Sequence, residues 1–318
     1  MPQDSLAAGL PRGPAVPPAM PPAAASRERA IGLACAFAVV IVWSGFSLSA
    51  RLGGRQALTG WDMGALRYMG SFVMGLLLVA GFGWPRLSLA RSAGLAAGAA
   101  YVFPLAAYFG FRHAPTAHGG VLLTGLLPFA AALLGWLWLG ERWTRMRAVS
   151  LAVVAGGILL LTLDTFGSHP GAWRGDLLFI LGCLGWAVFT VLVRRWQVPA
   201  LTATTVLALY PPLLYLPVWY FFLPSSLGEA SAGAVIYQLI YQGMVAVVIA
   251  GFLFTRAVNA LGSATTTTIT ALTPALAALV AWPLLGEALG PLGLAGVAIV
   301  SAGMALGVAG GPAAGGRR

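Results

Sequence analysis

Ten apolar runs follow one another along this chain and leave little sequence between them. Numbered 1 to 10 in chain order, they cover residues 30–50, 62–82, 92–110, 117–139, 147–165, 176–195, 201–222, 233–254, 263–285 and 289–309. A helix that crosses the hydrocarbon core of a bilayer needs about 20 apolar residues. The runs are too long for membrane β-strands and lack their alternation of apolar and polar residues. We therefore predict an all-α integral membrane protein with about ten transmembrane helices.

Composition supports a bilayer as the solvent for most of the surface. Of the 318 residues, 59% are hydrophobic and only 8% are charged, whereas a soluble domain carries about 25% charged residues. The net charge of +10 does not indicate nucleic-acid binding, because the chain has no Lys and its Arg residues are scattered between the apolar runs. We expect the lipid bilayer, and no nucleic acid, as a partner.

The distribution of Arg predicts the orientation in the membrane. If the N-terminus is cytoplasmic, thirteen Arg residues fall on the cytoplasmic side and four on the opposite side, with Arg67 alone inside run 2. Cytoplasmic loops carry the excess of positive charge, so both termini are expected in the cytoplasm. The expected location is the inner membrane of a cell. Residues 1–29, rich in Pro and Ala, are predicted to be a disordered cytoplasmic tail, and residues 311–318 a second tail.

An internal repeat divides the chain into two halves. Leu126-Leu127-Pro128 and Leu139-Gly140-Glu141 recur as Leu272-Thr273-Pro274 and Leu285-Gly286-Glu287 at an offset of 146 residues, and Trp43 and Phe46 recur as Trp186 and Phe189 at an offset of 143. The predicted halves are residues 30–165 and 172–310, with five helices each. An odd number of helices inserts the second half upside down, an inverted repeat typical of transporters that bind substrate between the halves.

The same residues give the chain a resemblance to a known group. Val42-Trp43-Ser44-Gly45 in run 1, Arg67 in run 2, Gly175-Asp176 before run 6 and the paired Pro and Leu-Gly-Glu blocks resemble the drug/metabolite transporter superfamily, in its ten-helix branch with two EamA-type repeats. The resemblance extends over about residues 30–310. It implies a helix bundle with a central cavity and often the export of amino acids or other metabolites.

Polar and aromatic residues inside the runs are the candidates for a substrate cavity. Amides that faced lipid would be costly, prolines free backbone carbonyls, and Trp and Tyr need partners for their polar atoms. The candidates are Trp43, Phe46, Tyr101, Tyr108, Thr124, Pro128, Trp186, Tyr237, Gln238, Tyr241, Gln242, Thr270 and Pro274. The alternative role for each is packing or hydrogen bonding between helices. We expect the cavity to be lined by helices 1, 3, 4, 6, 8 and 9.

Three charged residues are assigned structural or gating roles. Glu141 and Glu287 recur in the two halves at helix ends, where a carboxylate can cap the next helix. Arg67 lies more than one turn inside run 2, where it can reach towards water, pair with Asp62 or bind a substrate carboxylate.

The energy source is predicted from two features that the sequence does not contain, a phosphate-binding motif and acidic residues in the middle of the runs. The sequence contains no GxxxxGK[ST] phosphate-binding motif. The acidic residues lie away from the middle of the runs, and His113, His118 and His169 fall in or beside outside loops. Facilitated diffusion or exchange is therefore favoured over carboxylate-based proton coupling. No cofactor and no metal are expected.

The functional prediction is a secondary transporter, not an enzyme, that moves a small polar solute by alternating access. An amino acid is one candidate, and the resemblance favours export. Two other classes, a membrane scaffold or sensor and an intramembrane enzyme, are alternatives; the enzyme requires a nucleophile–base or metal set at depth. The sequence leaves both a monomer and a homodimer open.

Overall fold

The computed structural model describes residues 22–54, 58–114, 116–141, 144–165, 171–285 and 290–309. These residues form helices and short connections, and this described part contains no β-strand. The α-helices are α1 Pro22–Gly54, α2 Gly60–Phe82, α3 Leu89–Ala96, α4 Phe103–His113, α5 Thr116–Gly119, α6 Leu127–Leu139, α7 Arg145–Thr165, α8 Trp173–Arg195, α9 Ala200–Phe222, α10 Ala232–Gln238, α11 Ala250–Leu261, α12 Ser263–Thr270, α13 Thr273–Leu285 and α14 Pro291–Ala309. Three π-helical segments, π1 Ala97–Val102, π2 Gly120–Gly125 and π3 Leu239–Ile249, join neighbouring α-helices, and a 3₁₀ turn covers Leu227–Glu229.

Seven continuous helical segments in the described residues are long and apolar enough to cross a bilayer. They are Ala23–Phe46, Gly60–Phe82, Leu89–His113, Gly120–Leu139, Trp173–Arg195, Ala200–Phe222 and Ala232–Leu261, and a shorter apolar helix covers Pro291–Gly307. Large apolar side chains such as Leu77, Leu137 and Phe222 are exposed on the outside of the bundle. A soluble protein rarely shows such continuous apolar surface. The prediction of an all-α membrane protein is confirmed.

The first helix starts earlier than the sequence predicted. Helix α1 begins at Pro22 rather than at residue 30, so residues 22–29 are helical and the predicted disordered tail is too long. Pro at a helix start is favourable because its missing N–H would have no partner there. In addition, Glu28 binds Arg256 of α11 at 2.6 Å, which fixes this first part of the helix. Residues 1–21 and the predicted tail at 311–318 lie outside the described residues.

Four predicted helices are interrupted. Run 3 contains π1, run 8 contains π3, run 4 is divided into α5, π2 and α6, and run 9 is divided into α12 and α13. Pro104, Pro128 and Pro274 stand at or just after three of these interruptions. Proline lacks the N–H that would bond the carbonyl four residues earlier. Beside Pro104, the Tyr68 hydroxyl donates to the carbonyl of Ala100, the group that loses its regular helical donor.

Small residues allow helices from the two halves of the chain to approach closely. A Cβ on Gly157 in α7 would lie 2.7 Å from the Val300 nitrogen of α14, and one on Gly303 in α14 would lie 2.9 Å from the Val154 nitrogen of α7. Ser150 of α7 also donates to the Gly303 carbonyl at 2.8 Å. These contacts form a reciprocal interface between α7 and α14.

Candidate functional site

A cavity lies inside the bundle, and the space between its lining atoms, including the part open to solvent, amounts to about 430 Å³. Its lining comes from α1, α2, α4, α5, π2, α8 and π3, and consists of Trp43, Phe46, Arg67, Phe103, Gly119, Gly120, Leu123, Thr124, Trp186 and Ala246. A second space of about 260 Å³ adjoins Tyr68, Ala99, Ala100, Leu207 and Val247, and shares Arg67 and Trp186 with the first.

The lining agrees only in part with the helices expected from the sequence. Helices from runs 1, 3, 4, 6 and 8 contribute, and so does α2 through Arg67. In contrast, α12 and α13 of run 9 do not contribute to the lining of either space. Thr270 and Pro274 are therefore placed behind the cavity wall, where Thr270 donates to the Thr267 carbonyl at 3.0 Å.

An aromatic cluster forms one wall of the cavity. Trp43 and Trp186 meet edge to face with ring centroids 5.2 Å apart, and Phe103 lies 4.9 Å from Trp186. Phe254, which does not form part of the lining, stacks on Trp43 at 5.2 Å. Such pairs are favourable because a ring edge meets a negatively polarised face. The sequence identified Trp43, Phe46 and Trp186 but missed Phe103, whose only signal is its position beside Pro104.

Arg67 is the charged residue of the cavity. Its side chain is 3% exposed, lines both spaces, and has a buried Nη1 without a hydrogen-bond partner. Its guanidinium lies close enough to the Tyr68 and Tyr108 phenols to interact with them electrostatically. Arg67 therefore does not reach towards water, one of the roles considered from the sequence.

Asp62, the partner considered for Arg67, is occupied elsewhere. Its carboxylate accepts from Thr59, in a capping box at the start of α2, and from Ser225, Ser226 and Trp219 at 2.6–3.2 Å. Arg67 forms no ion pair with it in the described residues. Asp62 instead fixes the start of α2 to the end of α9 and the loop that follows.

The two amides of run 8 serve contacts between helices. Tyr108 donates to Gln242 Oε1 at 2.9 Å, and Gln242 Nε2 donates to Ser49 Oγ at 3.3 Å. Gln238 Nε2 donates to the Ser49 carbonyl at 2.9 Å, and Gln238 Oε1 accepts from Ser49 Oγ at 3.0 Å. These bonds link α1, α4, α10 and π3 next to the cavity. The side chains of Gln238, Gln242 and Tyr108 are buried but do not form its lining.

The three other tyrosine candidates lie outside the cavity lining. Tyr241 donates to the Val42 carbonyl at 2.8 Å. Its hydroxyl lies next to Gly45, where a Cβ would collide with it. Tyr101 donates to the Pro211 carbonyl of α9 at 3.2 Å. Tyr237 is 39% exposed and does not form part of the cavity lining. Adjacent helical residues differ by about 100° in direction, and one face cannot bury both Tyr237 and Gln238.

Thr124 and Pro128 lie on either side of Leu126, the residue between π2 and α6. Thr124 lines the cavity and donates to the Gly120 carbonyl at 2.7 Å. Pro128 is buried in the first turn of α6 and does not form part of the lining. Gly119 and Gly120 also line the cavity. A Cβ on Gly119 would collide with the Phe111 ring, and one on Gly120 would lie 3.6 Å from Pro274, so both glycines allow close packing behind the cavity wall.

A hydrogen-bonded His–Asp pair lies beside these glycines. His118 Nδ1 is 2.8 Å from Asp176 Oδ1, and the His118 side chain is buried. The sequence placed His118 in or beside an outside loop, and the structure places it in α5 at the start of run 4, with its side chain buried. The Gly175-Asp176 motif was the available signal. Only glycine fits at position 175, because a Cβ there would collide with Ala114 directly after α4.

Glu141 pairs with Arg147 of α7, with Nη1 and Oε2 3.3 Å apart. The side chain that caps the backbone at the start of α7 is that of Thr144, which accepts from the Arg147 nitrogen at 3.2 Å. The expected capping by Glu141 is thus replaced by a side-chain ion pair. Glu287 lies outside the described residues.

Comparisons with known proteins agree with this fold. Residues 173–308, within the second predicted half, match the sequence profile of the EamA-like transporter family. Among solved structures, 28 chains match. One is a crystal structure with 20% sequence identity and a TM-score of 0.70, and the match covers 87% of this chain and 97% of that chain. At this identity the likeness shows the fold alone.

A search among curated proteins found no match. The helical spans and the profile match together confirm the resemblance derived from the sequence motifs. The chain is therefore a multi-pass membrane protein in which residues 173–308 are similar to the EamA-like transporter family.

Proposed function

We propose that this protein is a secondary transporter that moves a small polar metabolite across the inner membrane by alternating access. The observation that carries the proposal is the central cavity, which is enclosed by helices of both halves of the chain. Trp43 and Trp186, equivalent residues at the offset of 143, meet at its wall. A site between two repeats can be exposed to either side when one repeat moves against the other.

We further propose that ten helices form two inverted five-helix repeats, residues 30–165 and 172–310. Helices α6 and α13 support this, since their bounds differ by 146 residues at both ends. The α7–α14 interface supports it too. Gly157 and Val154 of α7 are equivalent to Gly303 and Val300 of α14 at that offset, and each glycine packs on the other helix's valine. This reciprocal contact is what a two-fold axis between the repeats would produce.

For energy coupling, we propose facilitated diffusion or exchange. Neither internal space has an acidic residue in its described lining. A transmembrane pH gradient that drove concentrative uptake into proteoliposomes would contradict this part of the proposal. The buried His118–Asp176 pair beside Gly119 would then be the first candidate for the proton-carrying group.

The main test is counterflow in proteoliposomes with a panel of labelled amino acids, organic acids and nucleosides. Ala246→Phe places a ring in the cavity, whereas Ile249→Phe changes the same π-helical segment on its exposed side. We expect wild type and Ile249→Phe to exchange at least one solute, and Ala246→Phe to lose most of that rate.

Both variants must melt cooperatively for the comparison to count. Equal exchange by wild type and a well-folded Ala246→Phe would contradict the central pathway. A well-folded wild type that exchanged no solute in the panel would contradict transport of a small polar metabolite.

A further inference from the structure

We infer that the solute carries an oxyanion, a carboxylate or a phosphate-type group, on an apolar and flat body, with Arg67 and the Trp186 indole N–H as the donors that bind it. The inference rests on the proposed transport function and names the substrate class for the same cavity. It specifies the charge of the solute, for which the amides and phenols of run 8 had suggested a neutral or zwitterionic molecule.

The first step is the charge balance around Arg67. A guanidinium stays protonated in proteins, and an unpaired charge inside a membrane protein costs several kcal/mol. The described acids with known contacts have other partners: Asp62 binds Thr59 and the loop after α9, Asp176 binds His118, Glu141 binds Arg147 and Glu28 binds Arg256. The described lining of both spaces therefore holds one positive charge and no negative charge.

The phenols beside Arg67 do not supply the missing charge. Tyr68 already donates to the Ala100 carbonyl and Tyr108 to Gln242 Oε1, so both are neutral hydrogen-bonded groups. At least one guanidinium donor, on Nη1, remains unused. A solute that supplies an anionic oxygen would satisfy this donor and neutralise the charge.

A second unused donor lies on the same spaces. Trp186 Nε1 is buried without a hydrogen-bond partner, and Trp186 lines both spaces together with Arg67. An indole nitrogen can only donate, so it too requires an acceptor. One cation and one neutral donor around a shared space suit the two oxygens of a carboxylate, or two oxygens of a phosphonate.

The rest of the wall defines the body of the solute. The wall is formed by the aromatic rings of Trp43, Phe46 and Phe103 and by the aliphatic side chain of Leu123. The Thr124 hydroxyl donates a hydrogen bond to the Gly120 carbonyl. An apolar, flat body gains contact with these rings. A cationic amphiphile of the same shape would meet the uncompensated Arg67 charge and be excluded.

The test compares solutes that share a body and differ in the head group. The full-length protein in detergent would be melted with phenylacetate, phenylacetamide, phenethylammonium and phenylphosphonate. The same four head groups would be tested on indole, cyclohexane and straight-chain bodies. A ligand that binds the folded state raises its melting temperature. We expect the carboxylate or the phosphonate of at least one body to raise it, and the amide and ammonium of that body to have little effect.

The two oxyanions separate the possible sources: a shift with the carboxylate alone identifies organic acids, and a shift with the phosphonate alone identifies phosphate esters. Arg67→Gln should remove the preference for the oxyanion over the amide. Trp186→Phe keeps the ring and loses the N–H, and should weaken oxyanion binding by about tenfold.

The matched control is a second Arg–Trp pair away from the cavity. Arg91 lies over the Trp196 ring at 5.7 Å, and the variants Arg91→Gln and Trp196→Phe should leave the preference unchanged. If Arg67→Gln fails to fold, Trp186→Phe still tests the donor set.

The inference is overturned if no oxyanion in the panel exceeds its own amide, or if Arg67→Gln folds and keeps the preference. If the protein exchanged a neutral or cationic solute, and Ala246→Phe blocked that exchange, the proposed transport function would still stand. The two failures are therefore distinguishable.

Discussion

Arg67 and Gln242 show how differently two buried polar residues of one bundle can be used. Gln242 uses its amide oxygen and its amide nitrogen within the protein, for Tyr108 and Ser49. Arg67 has a buried donor for which the protein supplies no acceptor. An unsatisfied buried donor costs about 1–3 kcal/mol. Gln242 therefore stabilises the fold without a solute, whereas we expect a solute to stabilise Arg67.

The amide network leads to a prediction at the residue scale. Gln242→Leu should destabilise the protein by about 1–3 kcal/mol, because it leaves the buried Tyr108 hydroxyl without its acceptor. Tyr108→Phe in the Gln242→Leu background should restore part of this loss. Thermal melts of the two single variants and the double variant measure the interaction energy.

Tyr237→Phe is the control, because Tyr237 is in the neighbouring turn but exposed, and its melting temperature should match that of the wild type. If the losses of Gln242→Leu and Tyr108→Phe were simply additive, the hydrogen bond between them would make no contribution to stability.

At the scale of the element, the sequence predicted the positions of the helices and, through Pro128 and Pro274, the interruptions of runs 4 and 9, but not the π-helical segments. The positions follow from apolar length, which a bilayer enforces directly. The π-helical segments depend on tertiary contacts: π3 contains Gly243, on which a Cβ would lie 2.6 Å from Gly70 of α2. No pattern within run 8 reveals that contact.

The close packing of α7 on α14 gives a prediction at this scale. Gly157→Ala should destabilise the protein by about 1–3 kcal/mol, because its Cβ would lie 2.7 Å from backbone and side-chain atoms of Val300. Gly303→Ala should cost a similar amount, since its Cβ would meet Val154 in the equivalent way. The measurement is the melting temperature of each purified variant.

Gly156 provides a control one residue away. It has open space around its Cβ position, so Gly156→Ala should be neutral or stabilising by up to about 1 kcal/mol through helix propensity. A loss for Gly156→Ala as large as that for Gly157→Ala would attribute the effect to the helix itself and not to its interface with α14.

At the scale of the whole molecule, the candidate site could be predicted only in part. Trp43, Phe46, Thr124 and Trp186 were identified as cavity residues because they are polar, aromatic or repeated within apolar runs, and all four line the cavity. Phe103 was missed because a Phe in an apolar run has the same pattern whether it faces lipid or a cavity. Only the packing of α4 against α1 and α8 distinguishes these two positions.

The orientation of the whole molecule yields the last prediction. The excess of Arg on one side, thirteen against four, predicts that the loop after α9 lies outside and the loop between α2 and α3 lies inside. With Cys35 and Cys183 replaced by Ala, Gly228→Cys should react with a membrane-impermeant maleimide added to intact cells, because Gly228 lies in the loop after α9 with open space around it. Arg86→Cys, in the exposed connection between α2 and α3, should react only after the cells are permeabilised.

Labelling of Arg86→Cys and not Gly228→Cys in intact cells would show that the orientation is the reverse of the predicted one. Labelling of both would indicate two orientations in the membrane, which the strong charge asymmetry argues against.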